Sequence, residues 1–530
     1  MNGLMMDQPL LVSSILEFAA KFHGDVEVVT RTVEGPIVRT TWREVARRVR
    51  KLANALRGLG IGEGDRVATI AWNTQRHLEL YFAVSGIGAV LHTINPRLPP
   101  EQLDYVVDDA ADRLLFFDAT FAPLAEHLRA RPGNPVERFV AMTEGDYEAL
   151  LATGDEAIAW PVLDERAASS LCYTSGTAGP PKGVLYSHRS TVLHSYAVSM
   201  ADTLGICSRD VMLPVVPMFH VNAWGVPYAA AMVGAKLVFP GPKLDGESLC
   251  ELISGEEVNF LLGVPTVWIN LLAWLDSTGT KLTTVRKIVV GGSAASPSLI
   301  AALEAQGARV IHAWGMTETS PVGTVNVLLP KHEGLSADQQ MAVKAKQGRP
   351  VFGIDLRIVD DAGQVLPHDG KTSGHLHVRG PWVASGYFGS QGSDNHRDGW
   401  FATGDIATID PDSYVHLTDR SKDVIKSGGE WISSIALENA AASCPGVAAA
   451  AAVGLAHPKW GERPLLVVVR APGAALEAQQ VHDHLAARLT KWWLPDDIVF
   501  VDALPIGATG KVLKRELRDR FADHVFSTAG

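Results

Sequence analysis

Short runs of β-branched and apolar residues alternate with stretches whose apolar positions recur every three to four residues through the first three-quarters of this chain. Segments 66–72, 114–118, 211–217, 236–239 and 287–290 read as strands, and 75–90 has helical periodicity. Such alternation predicts parallel or mixed sheets covered by helices, an α/β architecture. Around 354–360, 374–380 and 414–418 the strands crowd together with turns between them, which predicts a more antiparallel, barrel-like subdomain. A boundary is expected at Asp419-Arg420-Ser421-Lys422-Asp423, separating a domain of 1–420 from one of 421–530. The second has its own pattern, with an apolar run at 465–469, a helical stretch at 479–489, and an Ala-rich run at 447–452 that reads as a buried strand. There is no internal repeat.

Composition narrows the partners. A chain of 530 residues with 47% hydrophobic content exceeds one core and can build several. Its 58 acidic and 47 basic side chains are dispersed without a basic stripe, which argues against nucleic acid, so any anionic ligand must be held by local groups. Cys172, Cys207, Cys250 and Cys444 are widely spaced with no C-x-x-C, fitting reduced thiols better than a disulfide frame or a zinc site. The N-terminus M-N-G-L-M-M-D-Q-P-L-L-V has no basic region ahead of a long apolar run, and no segment reads as a membrane span. A soluble, cytoplasmic protein is expected.

Candidate chemistry sits in five stretches. Y-T-S-G-T-A-G-P-P-K-G-V at 173–184 collects glycines, hydroxyls and one lysine. That suits a phosphate cradle, although a flexible surface loop has the same composition. It is not a P-loop, because Gly183 follows Lys182 where Ser or Thr is required. H-A-W-G-M-T-E-T-S-P at 312–321 follows a strand-like run and is expected at a strand's C-terminal end, where α/β folds bind ligands. Glu318 suits Mg²⁺ and Thr317 a phosphate, or the two begin a helix as cap and dipole-favoured acid. In D-G-W-F-A-T-G-D at 398–405, Asp405 can accept two ribose hydroxyls or merely stabilise a turn. D-R-S-K-D-V-I-K-S-G-G-E-W-I-S-S at 419–434 and P-I-G-A-T-G-K-V-L-K-R at 505–515 complete the series; Val512 after Lys511 again excludes a P-loop. G-G-S-A-A at 291–295 is no nucleophile elbow.

In this order the five stretches resemble the adenylate-forming superfamily of acyl-CoA synthetases, firefly-type luciferases and carrier-loading adenylation domains, over nearly the whole chain. The narrower likeness is to medium-chain fatty acid and methylmercaptopropionate CoA ligases. It implies a large N-terminal domain of two α/β sheet subdomains and a β-barrel-like subdomain, with a small mobile α+β C-terminal domain. Carboxylate attack on the α-phosphorus of ATP brings anion to anion, so charge must be neutralised without a covalent nucleophile. The resemblance implies ATP, Mg²⁺ and CoA as cofactor and co-substrates. Thr174, Ser175, Gly176, Thr177 and Lys182 would meet the pyrophosphate end, and His312, Ala313, Trp314, Gly315, Met316 and Thr317 the nucleotide. Asp405 and Arg420 would take ribose, Glu318 the metal, and Lys511 the acid's carboxylate and α-phosphate.

The acyl pocket is implied at His220, Val221, Trp224, Val264, Gly291, Gly292, Trp314, Met316 and Pro321, with His220 guarding the thiol tunnel. Lys422 would be the hinge that brings Lys426, Ser427, Gly428, Gly429, Glu430 and Trp431 in for CoA. The chain departs from the family pattern at Ala178, where a second Thr is usual, at Pro180, and at His375, where Glu is usual. The expected reaction is acid plus ATP to acyl-adenylate and pyrophosphate, then adenylate plus CoA to acyl-CoA and AMP, on short- to medium-chain acids. Alternatives are a long-chain ligase, a loader of a free carrier protein, a luciferase and a non-catalytic nucleotide-binding regulator; a homodimer is compatible with all of them.

Overall fold

The computed structural model describes residues 1, 3–174, 180–389, 395–428, 430–507 and 512–526, with Glu430 described by its backbone alone. Contacts divide the chain into two compact units, Met1–Asp355 with Arg379–Phe401, and Leu356–Val378 with Ala402–Gly530.

Two sheets organise the first unit. One has nine strands in the order Arg349–Pro350, Val322–Val325, Arg309–Gly315, Lys287–Val290, Phe260–Gly263, Val211–Pro214, Lys236–Phe239, Glu27–Arg31 and Ile37–Thr41. Its centre is parallel and its margins antiparallel. The other runs Arg138–Ala141, Leu114–Phe117, Arg66–Ile70, Val90–Thr93, Ala168–Tyr173 and Gly183–Ser187, parallel up to its last, antiparallel pair. Strands such as L-L-F-F and F-L-L-G are buried along their length, as the centre of a doubly covered sheet requires.

The helix Gln75–Gly86 starts on Thr74, whose hydroxyl accepts the His77 amide at 3.3 Å. The 75–90 periodicity overshoots its end. Gly86 abuts Trp160, where a Cβ would approach to 2.5 Å, and Gly88 takes φ +84°, so the chain turns there into the strand Val90–Thr93.

Antiparallel strands begin the second unit: Asp355–Val359, Gly374–Arg379, Trp400–Ile409 and Val415–Arg420 include the predicted crowded strands. A second sheet follows in the order Glu430–Ile432, Ile425–Ser427, Gly461–Arg470, Val447–His457, with Asp497–Phe500 parallel to Gly461–Arg470. Alternate side chains of the long hairpin feed two cores. Ala452, Leu466 and Val468 meet Leu437 of helix Ser434–Ala442 and Val481 of helix Ala478–Ala486, while Ala451, Val453, Leu465 and Val467 meet Leu517 of helix Lys514–Arg520. The Ala-rich run is a strand, but it is buried only from Ala451 onward.

Candidate active site

Thr174 and Lys182 close the root of the glycine-rich loop. The Thr174 amide donates to the Lys182 carbonyl at 2.9 Å, and the Lys182 amide to the Thr174 hydroxyl at 3.1 Å. Ser175, Gly176 and Thr177 lie outside the described residues. The Lys182 ammonium stands 4.8 Å above the ring of Tyr387, whose hydroxyl donates to Glu318 Oε1 at 2.7 Å. The candidate phosphate-binding lysine and the candidate metal carboxylate are thus joined through one aromatic residue that carries no sequence motif. Burial, and then the Glu318 charge, drive the Tyr387 phenol far above its ordinary pKa, so it stays a proton donor.

The strand Arg309–Gly315 runs through H-A-W-G rather than ending before it. His312 is buried, and its Nε2 accepts the Ala295 amide at 3.3 Å. Trp314 is 6% exposed and packs over Gly323, where a Cβ would lie 2.4 Å from the indole. Gly315 passes so close to Pro321 that a Cβ would lie 1.9 Å from its carbonyl oxygen. After Met316 the chain makes a short 3-10 turn, Thr317–Thr319, and Thr319, not Thr317, caps it by accepting the Met316 amide at 2.9 Å. The Thr317 carbonyl accepts the Tyr186 hydroxyl at 2.7 Å.

Glu318 is 6% exposed, and no cluster of three His, Cys, Asp or Glu occurs among the described residues. A lone buried carboxylate fits Mg²⁺, which takes one or two protein carboxylates and completes its shell with water and substrate phosphates.

In the segment expected to line the acyl pocket, Val221, Asn222, Ala223 and Trp224 all have left-handed backbone, φ 47°, 51°, 48° and 59°, ahead of Gly225 at 72°. Each L-residue held so costs roughly 1–2 kcal/mol, with β-branched Val221 least suited to it. The turn lays the Trp224 indole against Gly291 and Gly292, where added Cβ atoms would lie 3.0 Å and 4.0 Å from it; the Cβ at Gly292 would also lie 3.0 Å from Val264. His220 immediately precedes the turn.

In the second unit, antiparallel register sets Asp405 opposite Arg420, and Arg420 Nε meets Asp405 Oδ1 at 2.9 Å. Asp405 is 2% exposed, whereas Arg420 is partly open. Lys422 follows in a turn whose carbonyl accepts from Arg518 at 3.0 Å. Lys426 and Trp431 face each other across a narrow hairpin, the ammonium 6.0 Å from the ring, and Gly428 at its tip has φ +58°. Arg463 donates to the Ser427 hydroxyl at 3.1 Å. Gly429, the Glu430 side chain and Lys511 lie outside the described residues. His375 bonds Asp361 at 2.8 Å and the Ser421 hydroxyl at 3.3 Å, with its ring edge-on to Trp431 at 5.9 Å. The residue that departs from the family pattern therefore touches both the neighbour of Lys422 and the Lys426–Trp431 hairpin.

Residues 16–388 match the model of the AMP-binding enzymes, and 436–511 that of the AMP-binding enzyme C-terminal domain. The chain is 53% identical to a 3-methylmercaptopropionyl-CoA ligase of Ruegeria lacuscaerulensis, covering 99% of both. It is 49% identical to a medium-chain-fatty-acid–CoA ligase of Ectopseudomonas oleovorans, over 99% of this chain and 98% of that one. A long-chain-fatty-acid–CoA ligase of Thermus thermophilus is likewise 49% identical, over 98% and 97%. Among solved structures, ATP-bound MatB of Rhodopseudomonas palustris superposes with a TM-score of 0.85 at 26% identity, covering 97% of this chain and 99% of that one. The chain therefore belongs to the AMP-binding enzymes, as an ATP-dependent ligase that joins a carboxylic acid to CoA through an acyl-adenylate.

Proposed function

We propose that the acid is short to medium in chain length, methylmercaptopropionate-like acids included, and that Trp224 ends its pocket. The observation that carries this is the indole seated on Gly291 and Gly292 with Val264 beside it. An apolar pocket gains about 1 to 3 kcal/mol for each methylene it accommodates, so kcat/KM should rise with chain length and then fall sharply. A panel from butyrate to palmitate with CoA, scored by AMP release, tests it. Efficient turnover of palmitate relative to hexanoate would instead favour the long-chain reading, under which Trp224 is a movable gate; the similarity to the Thermus thermophilus enzyme is what keeps that reading in play.

In the proposed mechanism Thr174 and Lys182 hold the terminal phosphates, and Asp405 and Arg420 hold ribose. Trp314 lies beside adenine, and His220 lines the way from thiol to acyl carbon. Mg²⁺, held by Glu318 and the phosphates, would supply charge neutralisation as pyrophosphate leaves. Lys511 screens the approach of carboxylate to α-phosphate. After pyrophosphate departs, 421–530 is proposed to turn about Lys422 and bring the Lys426–Trp431 hairpin to the adenylate. A positioned charge at the transition state is worth roughly 10² to 10³ in rate. Lys511→Ala should therefore cripple acid-dependent pyrophosphate exchange, yet still convert a supplied acyl-adenylate to thioester; equal loss of both steps would remove Lys511 from adenylation.

Four cysteines free of disulfides fit a cytoplasmic enzyme, and no helix among the described residues is long and apolar enough to cross a membrane. Fractionation with a membrane-pelleting step checks the location, and sedimentation separates a homodimer from a monomer.

A further inference from the structure

We infer that Asn222 is the positioning residue that sets the chain-length limit of this ligase, by locking the left-handed turn that carries Trp224. The inference rests on the acyl-pocket reading above and adds a determinant that does not touch the acid.

Four successive L-residues at positive φ do not hold themselves. None of Val221, Asn222, Ala223 and Trp224 is glycine, and only Asn is a residue type that tolerates this region well. Something outside the turn must fix it, and the side chain of Asn222 supplies that link. Its Nδ2 donates to Ser170 Oγ at 2.8 Å, and its Oδ1 accepts the Cys172 thiol at 3.4 Å. Ser170 and Cys172 belong to the buried strand Ala168–Tyr173, with exposures of 0% and 1%, and Asn222 itself is 5% exposed. An amide buried this deeply is costly unless paired, and here both of its ends are engaged.

The exit of the turn is fixed separately. Gly225 faces His194, where a Cβ would lie 2.8 Å from Nδ1, and the other ring nitrogen of His194 accepts the Val322 amide at 3.3 Å. Burial keeps that imidazole neutral by pushing its pKa down to about 3, so its acceptor role holds across the working pH range. With the start of the turn pinned by Asn222 and its end seated on His194, the indole carried by the turn lies against Gly291 and Gly292.

The strand that anchors Asn222 continues two residues later into Thr174, at the root of the phosphate loop. Asn222 is thereby tied to a part of the molecule that does not follow the length of the bound acid. This is what a length limit needs: an end wall referred to fixed backbone rather than to the ligand.

The test compares three variants with wild type across acids from butyrate to palmitate, with KM for acid and for ATP and kcat measured separately. Asn222→Ala removes the amide and keeps a side chain that resists positive φ. Asn222→Gly removes the amide but restores freedom at φ > 0. Ser170→Ala takes away the hydrogen bond from the strand side and leaves the turn's own sequence intact.

Asn222→Ala should move the fall in kcat/KM to acids at least two carbons longer and raise KM for the best wild-type acid about tenfold, with KM for ATP unchanged. Ser170→Ala should shift the fall in the same direction by less. Asn222→Gly should lie between wild type and Asn222→Ala, because glycine recovers the backbone conformation without the anchor. A role confined to general stability would lower kcat for every acid alike and leave the position of the fall where it was, which overturns the inference. If Asn222→Ala does not fold, Ser170→Ala and Asn222→Gly decide, and an unmoved fall in both overturns it equally. Trp224→Gly separates the two levels of the argument. A shift in Trp224→Gly with none in the Asn222 and Ser170 variants sinks Asn222 alone, and no shift in any variant sinks the acyl-pocket reading with it.

Discussion

Tyr387 uses its two chemical faces on two different partners. Its ring takes the Lys182 ammonium and its hydroxyl donates to Glu318, so the proposed phosphate-binding cation and the proposed metal-binding carboxylate meet on one side chain. A hydrogen bond to a charged group is worth about 1.5–3 kcal/mol. Tyr387→Phe keeps the ring under Lys182 and removes the hydroxyl that Glu318 accepts from and that Asn395 also meets. The Mg²⁺ concentration giving half-maximal pyrophosphate exchange should then rise roughly tenfold or more, with KM for the acid unchanged. Calorimetry of Mg–ATP binding should move in step; an unaltered Mg²⁺ dependence would make the contact merely structural.

This residue also marks the limit of what the sequence discloses. Thr174, Lys182 and Glu318 stand in stretches whose composition already suggests phosphate and metal, whereas A-S-G-Y-F at 384–388 carries no such pattern and its Tyr387 lies 69 positions from its carboxylate partner. His375 is similar. Its departure from the family pattern is a single letter in the sequence, whereas its partners Asp361, Ser421 and Trp431 are brought to it only by the fold.

Among the elements, the alternation of strand and helix was legible because both sheets of the first unit are largely parallel, so apolar runs and crossover helices follow one another in chain order. The register that sets Asp405 beside Arg420 was not, since pairing is a property of two strands and a turn together. The turn at 221–224 was hidden more deeply. H-V-N-A-W contains no glycine, so nothing local announces a left-handed run; it exists because tertiary contacts to Ser170 and Cys172 override local preference. The floor beneath that turn gives a prediction of its own. A Cβ at Gly291 would lie 3.0 Å from the Trp224 indole and 3.3 Å from the Ala313 carbonyl, and backbone cannot yield as a side chain can. Gly291→Ala should therefore push the indole into the pocket and bring the fall in kcat/KM to shorter acids, opposite in direction to Trp224→Gly. An identical chain-length series in wild type and Gly291→Ala would mean that the indole does not bound the acid.

At the scale of the whole molecule, the two half-reactions make incompatible demands on one stretch of chain. Lys511 and the Lys426–Trp431 hairpin both lie C-terminal to Lys422, and the first is proposed to serve adenylation and the second thioester formation. The chain near Lys422 is held by specific contacts in this conformation. Arg518, on the helix Lys514–Arg520, donates to the Lys422 carbonyl at 3.0 Å and pairs with Asp423, while Asp419 accepts the Ser434 amide at 2.6 Å and its hydroxyl at 2.9 Å. A turn of 421–530 about Lys422 would have to release the Asp419–Ser434 contacts, which span that residue, and change a backbone dihedral at or beside it. Proline fixes φ near −65°, so Lys422→Pro should permit whichever half-reaction uses that angle and suppress the other. Pyrophosphate exchange should persist while thioester formation is lost. Arg518→Ala frees the Lys422 carbonyl and Asp423 without fixing any dihedral, and it should leave both half-reactions running; its behaviour separates a blocked rotation from a disturbed helix. Thioester synthesis by Lys422→Pro at the wild-type rate would place the hinge elsewhere.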